Sequence, residues 1–173
     1  MTVHRTRHLP RRRAIGQLLV PTPILAQTAE FLRTAGARFP PHEALVWWLG
    51  RRVDEDTVVL ACHLPKCDSG PQYVRADEAA TGAAARAARA HRLALLAQVH
   101  SHPGADTRHS DGDDDLILMP YEGMFSLVVG NYGRGSLLPG EGAGLHQFQG
   151  GQWIQTDDSK RTLVVIPTEV TDA

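Results

Sequence analysis

Gln98–Asp115 reads QVHSHPGADTRHSDGDDD, and this stretch decides how the rest of the chain is read. It continues an apolar run, Leu93–Val99, that fits a central strand covered on both faces. His100 and His102 stand at i and i+2 where that run ends. A strand repeats every two residues, so both imidazoles project from one face. Pro103 and Gly104 stop the strand and leave the pair at a sheet rim. Two neutral imidazoles so placed can supply half of a tetrahedral zinc site, although His-x-His alone also fits ordinary surface histidines.

The residues downstream add a third donor. Ser110 is followed three positions later by Asp113, just before Leu116, Ile117 and Leu118, and Ser110–Met119 is predicted to form a short helix. Ser-x-x-acid is an N-terminal capping arrangement worth about 0.5–2 kcal/mol, and Asp111, Asp113, Asp114 and Asp115 all suit the positive helix end. Four carboxylates in one turn also repel each other unless a cation sits nearby. A carboxylate at the helix start, facing two strand-end imidazoles, makes a third ligand and leaves a fourth position for water. That open position distinguishes a catalytic zinc site from a structural one.

HSHP, six residues, and then Ser110-x-x-Asp113 resembles the JAMM motif of the JAB/MPN metalloprotease family, which also carries a glutamate on an upstream strand. Glu43 stands at the start of the predicted strand EALVWWL, Glu43–Leu49, in the matching place. The resemblance spans roughly Val20 to Ile166. It implies an α/β fold of the cytidine deaminase-like kind, a single JAB/MPN domain with a curved mixed sheet flanked by helices. It implies zinc, one ion per chain, bound by His100, His102 and Asp113. Glu43 is implied as general base toward the attacking water, and Ser110 as hydrogen-bond donor to the oxyanion. Taken without the motif, Glu43 is an ordinary solvated acid at a strand start. The family often has glycine where Val46 stands. Ser101 between the histidines resembles the peptidase branch, whereas RadC-like relatives have asparagine there.

The function implied is that of a prokaryotic JAB-type, deubiquitinase-like isopeptidase. It would cut after the C-terminal glycines of a ubiquitin-like protein, either releasing it from a target lysine or trimming its precursor. The implied partners are that modifier, its conjugates and the E1- and E2-like enzymes of the same pathway. Alternatives are a peptidase processing a sulfur-carrier protein and a non-catalytic MPN scaffold, which usually lacks a ligand or the glutamate. Long insertions and the second histidine–cysteine cluster of chain-selective eukaryotic members are not evident.

Working outward, Ile24, Leu25, Ala29, Phe31 and Leu32 recur at helical spacing until Gly36. Thr57–Cys62 is a second strand, paired with the first across the polar turn Arg51–Asp56. Ala79–Arg92 is an alanine-rich, solvent-facing helix. Further strands are expected at Phe125–Val129, Leu145–Gln149, Trp153–Gln155 and Thr162–Ile166, with an edge strand at Ile15–Val20. Trp47 and Trp48 fit either the core or a substrate groove. His109 is expected at the surface. Cys62, His63 and Cys67 could begin a second metal site but lack a further cysteine. The run Gly130–Gly144, without a lysine-serine ending, suggests a lid or a channel wall rather than a phosphate loop.

Composition agrees with one soluble domain. The chain has 173 residues, 42% hydrophobic and 21% charged, with a net charge of −1 and two cysteines. These values exclude collagen, coiled coil and a disulfide scaffold, and no apolar run reaches the ~18 residues of a membrane span. Near-neutral charge without a basic-aromatic stripe argues against nucleic acid as a partner. Lys66 and Lys160 are the only lysines, so arginine dominates the basic residues. Residues 1–14 read as a flexible basic arm, 15–167 as the domain and 168–173 as a tail. Arg11–Arg13 before an apolar stretch could mark export, but Pro21 and Pro23 interrupt that stretch, so the cytoplasm is the expected compartment.

Overall fold

The computed structural model describes residues 8–115 and 120–170. Its frame is a nine-stranded mixed sheet built from β1 (Arg11–Arg12), β2 (Leu18–Pro21), β3 (Leu45–Val53), β4 (Asp56–His63), β7 (Ala94–Ser101), β8 (Phe125–Val129), β9 (Ala143–Gln149), β10 (Gln152–Thr156) and β11 (Leu163–Ile166). The spatial order is β1-β10-β9-β8-β7-β3-β4-β2-β11. A separate hairpin joins β5 (Cys67–Gly70) to β6 (Tyr73–Ala76). Two helices, α1 (Thr22–Gly36) and α2 (Glu78–Ala90), accompany the sheet. Among the described residues, no helix is long and apolar enough to cross a membrane.

The central strands are apolar on both faces because both faces are covered. Along β3 the side chains alternate between two clusters. Val46 and Trp48 join Ile24 and Leu32 of α1, whereas Leu45 and Trp47 join Val74 and Ala84 on the α2 side. Both tryptophans are therefore core residues, fully buried. The Trp48 indole N–H donates to Thr28 Oγ1 at 2.9 Å, and Trp47 stacks on His63. Helix α2 is not simply solvent-facing: Ala80, Ala84 and Ala88, one turn apart, form a buried stripe. Asp77 caps it by accepting the Ala80 N–H at 2.7 Å.

Several boundaries differ from the sequence reading. The strand expected at Glu43–Leu49 begins at Leu45 and runs on to Val53, turning through Asp54 (φ 55°) directly into β4. The expected edge strand at 15–20 is β2, which lies inside the sheet between β4 and β11. Arg11–Arg12, within the stretch expected as an arm, pair in parallel with Gln155–Thr156. The β5–β6 hairpin was not foreseen. Cys62 packs with the α1-side cluster and Cys67 with the α2-side cluster, so the two thiols do not converge on a metal.

The sheet curls. Residues 157–162, including the single helical turn Ser159–Thr162, connect β10 beside one edge to β11 at the other. The Asp158 carboxylate accepts from the Ala14 N–H and from the Thr162 hydroxyl. It thereby ties the start of the chain to this crossing.

Candidate metal centre

Strand β7 places the histidines. It lies between β3, antiparallel, and β8, parallel, with His100 opposite Leu45 and Val128. His102 follows just beyond the strand, its N–H donating to the Val129 carbonyl at 2.9 Å. The two imidazoles share a face, with Nε2 atoms 3.3 Å apart. His100 is fully buried and His102 partly so.

The third donor arrives from the loop after His109. The helix expected over Ser110–Met119 is, in its described part, one 3-10 turn, Asp113–Asp115; residues 116–119 lie outside the described residues. The Asp113 carboxylate has three claims on it: Oδ2 accepts the Ser110 backbone N–H at 2.6 Å and faces His102 Nε2 at 3.1 Å, while Oδ1 faces His100 Nε2 at 3.2 Å. The first contact is the returning half of a capping box. Capping and ligation are therefore not competing readings of Asp113, because the carboxylate that caps Ser110 also faces both imidazoles and could hold a metal with them.

One ligand atom from each of His100, His102 and Asp113 lies within 4.8 Å of the others. A tetrahedral zinc with bonds of 2.0–2.1 Å has ligand–ligand edges of about 3.3 Å. Two edges are close to that size, 3.3 Å between the imidazole nitrogens and 3.1 Å from His102 Nε2 to Asp113 Oδ2, while His100 Nε2 lies 3.2 Å from the other carboxylate oxygen, Oδ1. His102 Nδ1 donates to the Asp106 carbonyl at 2.9 Å, which aims Nε2 at the cluster. His100 Nδ1 is buried and finds no partner among the described residues. Electrostatics favour an ionised acid here. Burial opposes the charge on Asp113, but His100 and His102 outweigh it and hold the carboxyl well below the usual range. His102 is pushed up: burial opposes its charge, and the hydrogen bond to Asp113 prevails.

Glu43 comes from a separate segment, two residues before β3, which pairs with β7. It is buried, and its carboxyl is raised to about 8, chiefly by loss of water; His102 lowers it and Asp113 raises it. Ser101, pointing away from its histidine neighbours, fixes this segment: its Oγ accepts the Ala44 N–H at 3.0 Å, and its N–H donates to the Ala44 carbonyl at 3.0 Å. Ser110 is half-buried, and among the described residues its hydroxyl has no hydrogen-bond partner.

His109 is not at the surface. It is fully buried behind the centre, its ring 4.3 Å from that of His146 and 5.0 Å from Trp153. Gln98 Nε2 donates to Ser126 Oγ at 3.0 Å, the Ser126 hydroxyl donates to His109 Nε2 at 2.9 Å, and His109 Nδ1 donates to Asp114 at 3.3 Å. Burial, with His146 next in weight, holds His109 well below its ordinary value. The run Gly130–Gly144, expected as a lid or a channel wall, is fastened at its start to the loop after His102. Asn131 and Tyr132 donate their N–H groups to Gly104 and His102 carbonyls at 2.8 and 2.7 Å.

Comparisons with known proteins accord with this geometry. Residues 25–137 match the family described as prokaryotic homologs of the JAB domain. A protein of Sinorhizobium fredii, "Probable metalloprotease y4jG", is 29% identical over 129 residues, covering 69% of this chain and 75% of the relative. The solution structure of protein DSY2949 from Desulfitobacterium hafniense superposes with a TM-score of 0.65 over 87% of this chain and 94% of that one, at 18% identity, a likeness of fold. With the family match running from α1 through the histidine pair and Asp113 to the loop behind them, the chain belongs to the prokaryotic JAB-domain family.

Proposed function

We propose that the protein is a zinc-dependent peptidase of the JAMM type that cleaves after the C-terminal glycines of a ubiquitin-like modifier, freeing it from a target lysine or from a precursor. One observation carries the catalytic part. Three ligand atoms converge while a buried acid from a separate segment, Glu43, lies near enough to sense both His102 and Asp113. A scaffold has no use for that fourth group.

His100, His102 and Asp113 would hold the ion, and zinc in such a site lowers the pKa of water to about 7 and polarises a carbonyl oxygen. The remaining chemistry belongs to the chain. Glu43 takes the proton of the attacking water and hands it to the leaving amine. The Ser110 hydroxyl, which has no hydrogen-bond partner among the described residues, donates to the oxyanion that forms at the scissile carbonyl. The substrate class follows from the family resemblance and from physical aptness: a tail ending in glycines can lie extended in a narrow groove without side-chain clashes. Conjugating enzymes of the same pathway would be its neighbours, in the cytoplasm.

The test is a fusion of a di-glycine-ended modifier to a reporter, incubated with zinc-loaded and chelated protein. Cleavage after the second glycine, lost on chelation and regained with zinc, is the expected result. A protein that retains no stoichiometric metal after dialysis would refute the reading in favour of a scaffold.

A further inference from the structure

The metal centre and Glu43 come from different stretches of chain, and their spacing has to be set by something other than the ligands. Ser101 clamps Ala44 on one side. The other side is held by the β5–β6 hairpin, whose last β5 residue, Gly70, accepts the Glu43 N–H at 2.9 Å. That hairpin is a two-stranded sheet outside the main one, and such a hairpin is marginally stable alone. Its turn must be anchored elsewhere.

Tyr132 is the anchor. Its hydroxyl donates to the Pro71 carbonyl, next to Gly70, at 2.9 Å. Its backbone N–H donates to the carbonyl of His102 at 2.7 Å. One residue thus spans from a metal-ligand carbonyl to the turn that fixes Glu43. The backbone there is unusual: Asn131 and Tyr132 both have positive φ, 55° and 53°, a conformation that aromatic residues rarely adopt. Helix α1 closes the arrangement from below. A β-carbon on Gly36 would run into the Tyr132 backbone, and one on Gly133 into Leu32. Glycine at 132 would relax the backbone, so keeping a phenol there points to a task for the ring. Strain of this kind persists only where surrounding structure enforces it.

We propose that Tyr132 is a positioning residue that sets the distance between Glu43 and the His100–His102 pair; the inference rests on the catalytic reading above. Tyr132→Phe removes the hydroxyl and keeps the ring and the backbone donor. Expected are a kcat lowered about tenfold with KM within about twofold, since small displacements of a reacting group cost rate before binding. Zinc affinity and the visible spectrum of the cobalt-substituted protein should match wild type. The Glu43 amide should exchange with deuterium at least about threefold faster, with the His102 amide unchanged as internal control. Gly36→Ala strikes the other end of the strut, so it should weaken zinc binding about fivefold, which Tyr132→Phe should not.

Unaltered exchange at Glu43 in Tyr132→Phe would overturn the proposal. So would a loss of zinc affinity in that variant as large as its loss of rate, the sign of general loosening. If wild-type protein cleaves none of the fusions, the catalytic reading fails on its own account. The exchange measurement then decides the strut: faster exchange at Glu43 supports it and unchanged exchange rejects it.

Discussion

Two pairs of histidines lie next to each other on one face of this sheet, a front pair at the rim and a back pair behind it, and they are wired in opposite ways. At the front, His100 and His102 turn their Nε2 atoms toward one shared carboxylate, and His102 is drawn toward the charged form. At the back, His109 and His146 face each other, Trp153 and a serine hydroxyl. Burial pushes His146 down to about 3, and His100 adds to the effect. All four rings are largely shielded from solvent, so burial alone does not explain the contrast. What separates them is that the one Asp113 carboxylate answers the desolvation of both front rings, whereas at the back Asp114 reaches His109 alone, at 3.3 Å. The front pair is left in want of a cation, whereas the back pair is content as neutral filler that keeps the front in place.

The largest expected effect falls on the front. His100→Ala or Asp113→Ala should abolish stoichiometric metal binding, read by elemental analysis, while chelated wild-type protein keeps its circular dichroism spectrum because the core does not depend on the ion. Unfolding on chelation would erase the distinction between a catalytic and a structural site. Next, Glu43→Gln should lower turnover about 10²–10⁴-fold with metal content intact. Ser110→Ala should cost about 3 kcal/mol in the activation barrier, roughly a hundredfold in rate, also with metal retained. A change confined to thermal stability would leave Ser110 a cap and nothing more.

The two smallest effects test the contrast through pH, in metal-free protein. Glu43 is protonated up to about pH 8 when folded but ionises near 4.5 when unfolded, so the unfolded state holds fewer protons between those values. Stability therefore falls as pH rises through that window, and Glu43→Gln should recover on the order of 3 kcal/mol at pH 8 and none at pH 4. His146 behaves in the reverse sense. Unfolded it gains a proton near pH 6.5, folded only near 3, so stability falls as pH drops across that range. His146→Gln should flatten this acid limb by about 1–2 kcal/mol at pH 5, measured by denaturant titration. Limbs of the same slope in variant and wild type would mean that the back ring is charged after all.

The front of the centre was legible because its rule is local. Two residues along a strand share a face, and three residues at a turn start bring a carboxylate back to the backbone. Glu43 was legible only through resemblance, since nothing in its own neighbourhood marks it as buried. The back was illegible for the same reason: His109 sits in a polar stretch, and its burial depends on Ser126, His146 and Trp153, which belong to other strands. The hairpin of CDSG and YVRA offers neither length nor alternation. It forms because Val74 has a core to enter beside Trp47. The expected helix at 110–119 was replaced, in its described part, by a tight turn because Asp113 is committed to Ser110 and to both imidazoles. Apolar runs identified most sheet strands, but not which of them would lie inside.

The curl of the sheet has a bearing on how the protein behaves at high concentration. An open nine-stranded sheet offers two flanks of unpaired peptide groups, onto which another molecule can add strand after strand. Here one flank is a strand of only two arginines, short and charged, and the crossing fastened by Asp158 links that side to the other. A short, charged edge fastened in this way is expected to resist self-association. Replacing Asp158 with an apolar residue should surface first as turbidity on storage, well before any change in melting temperature.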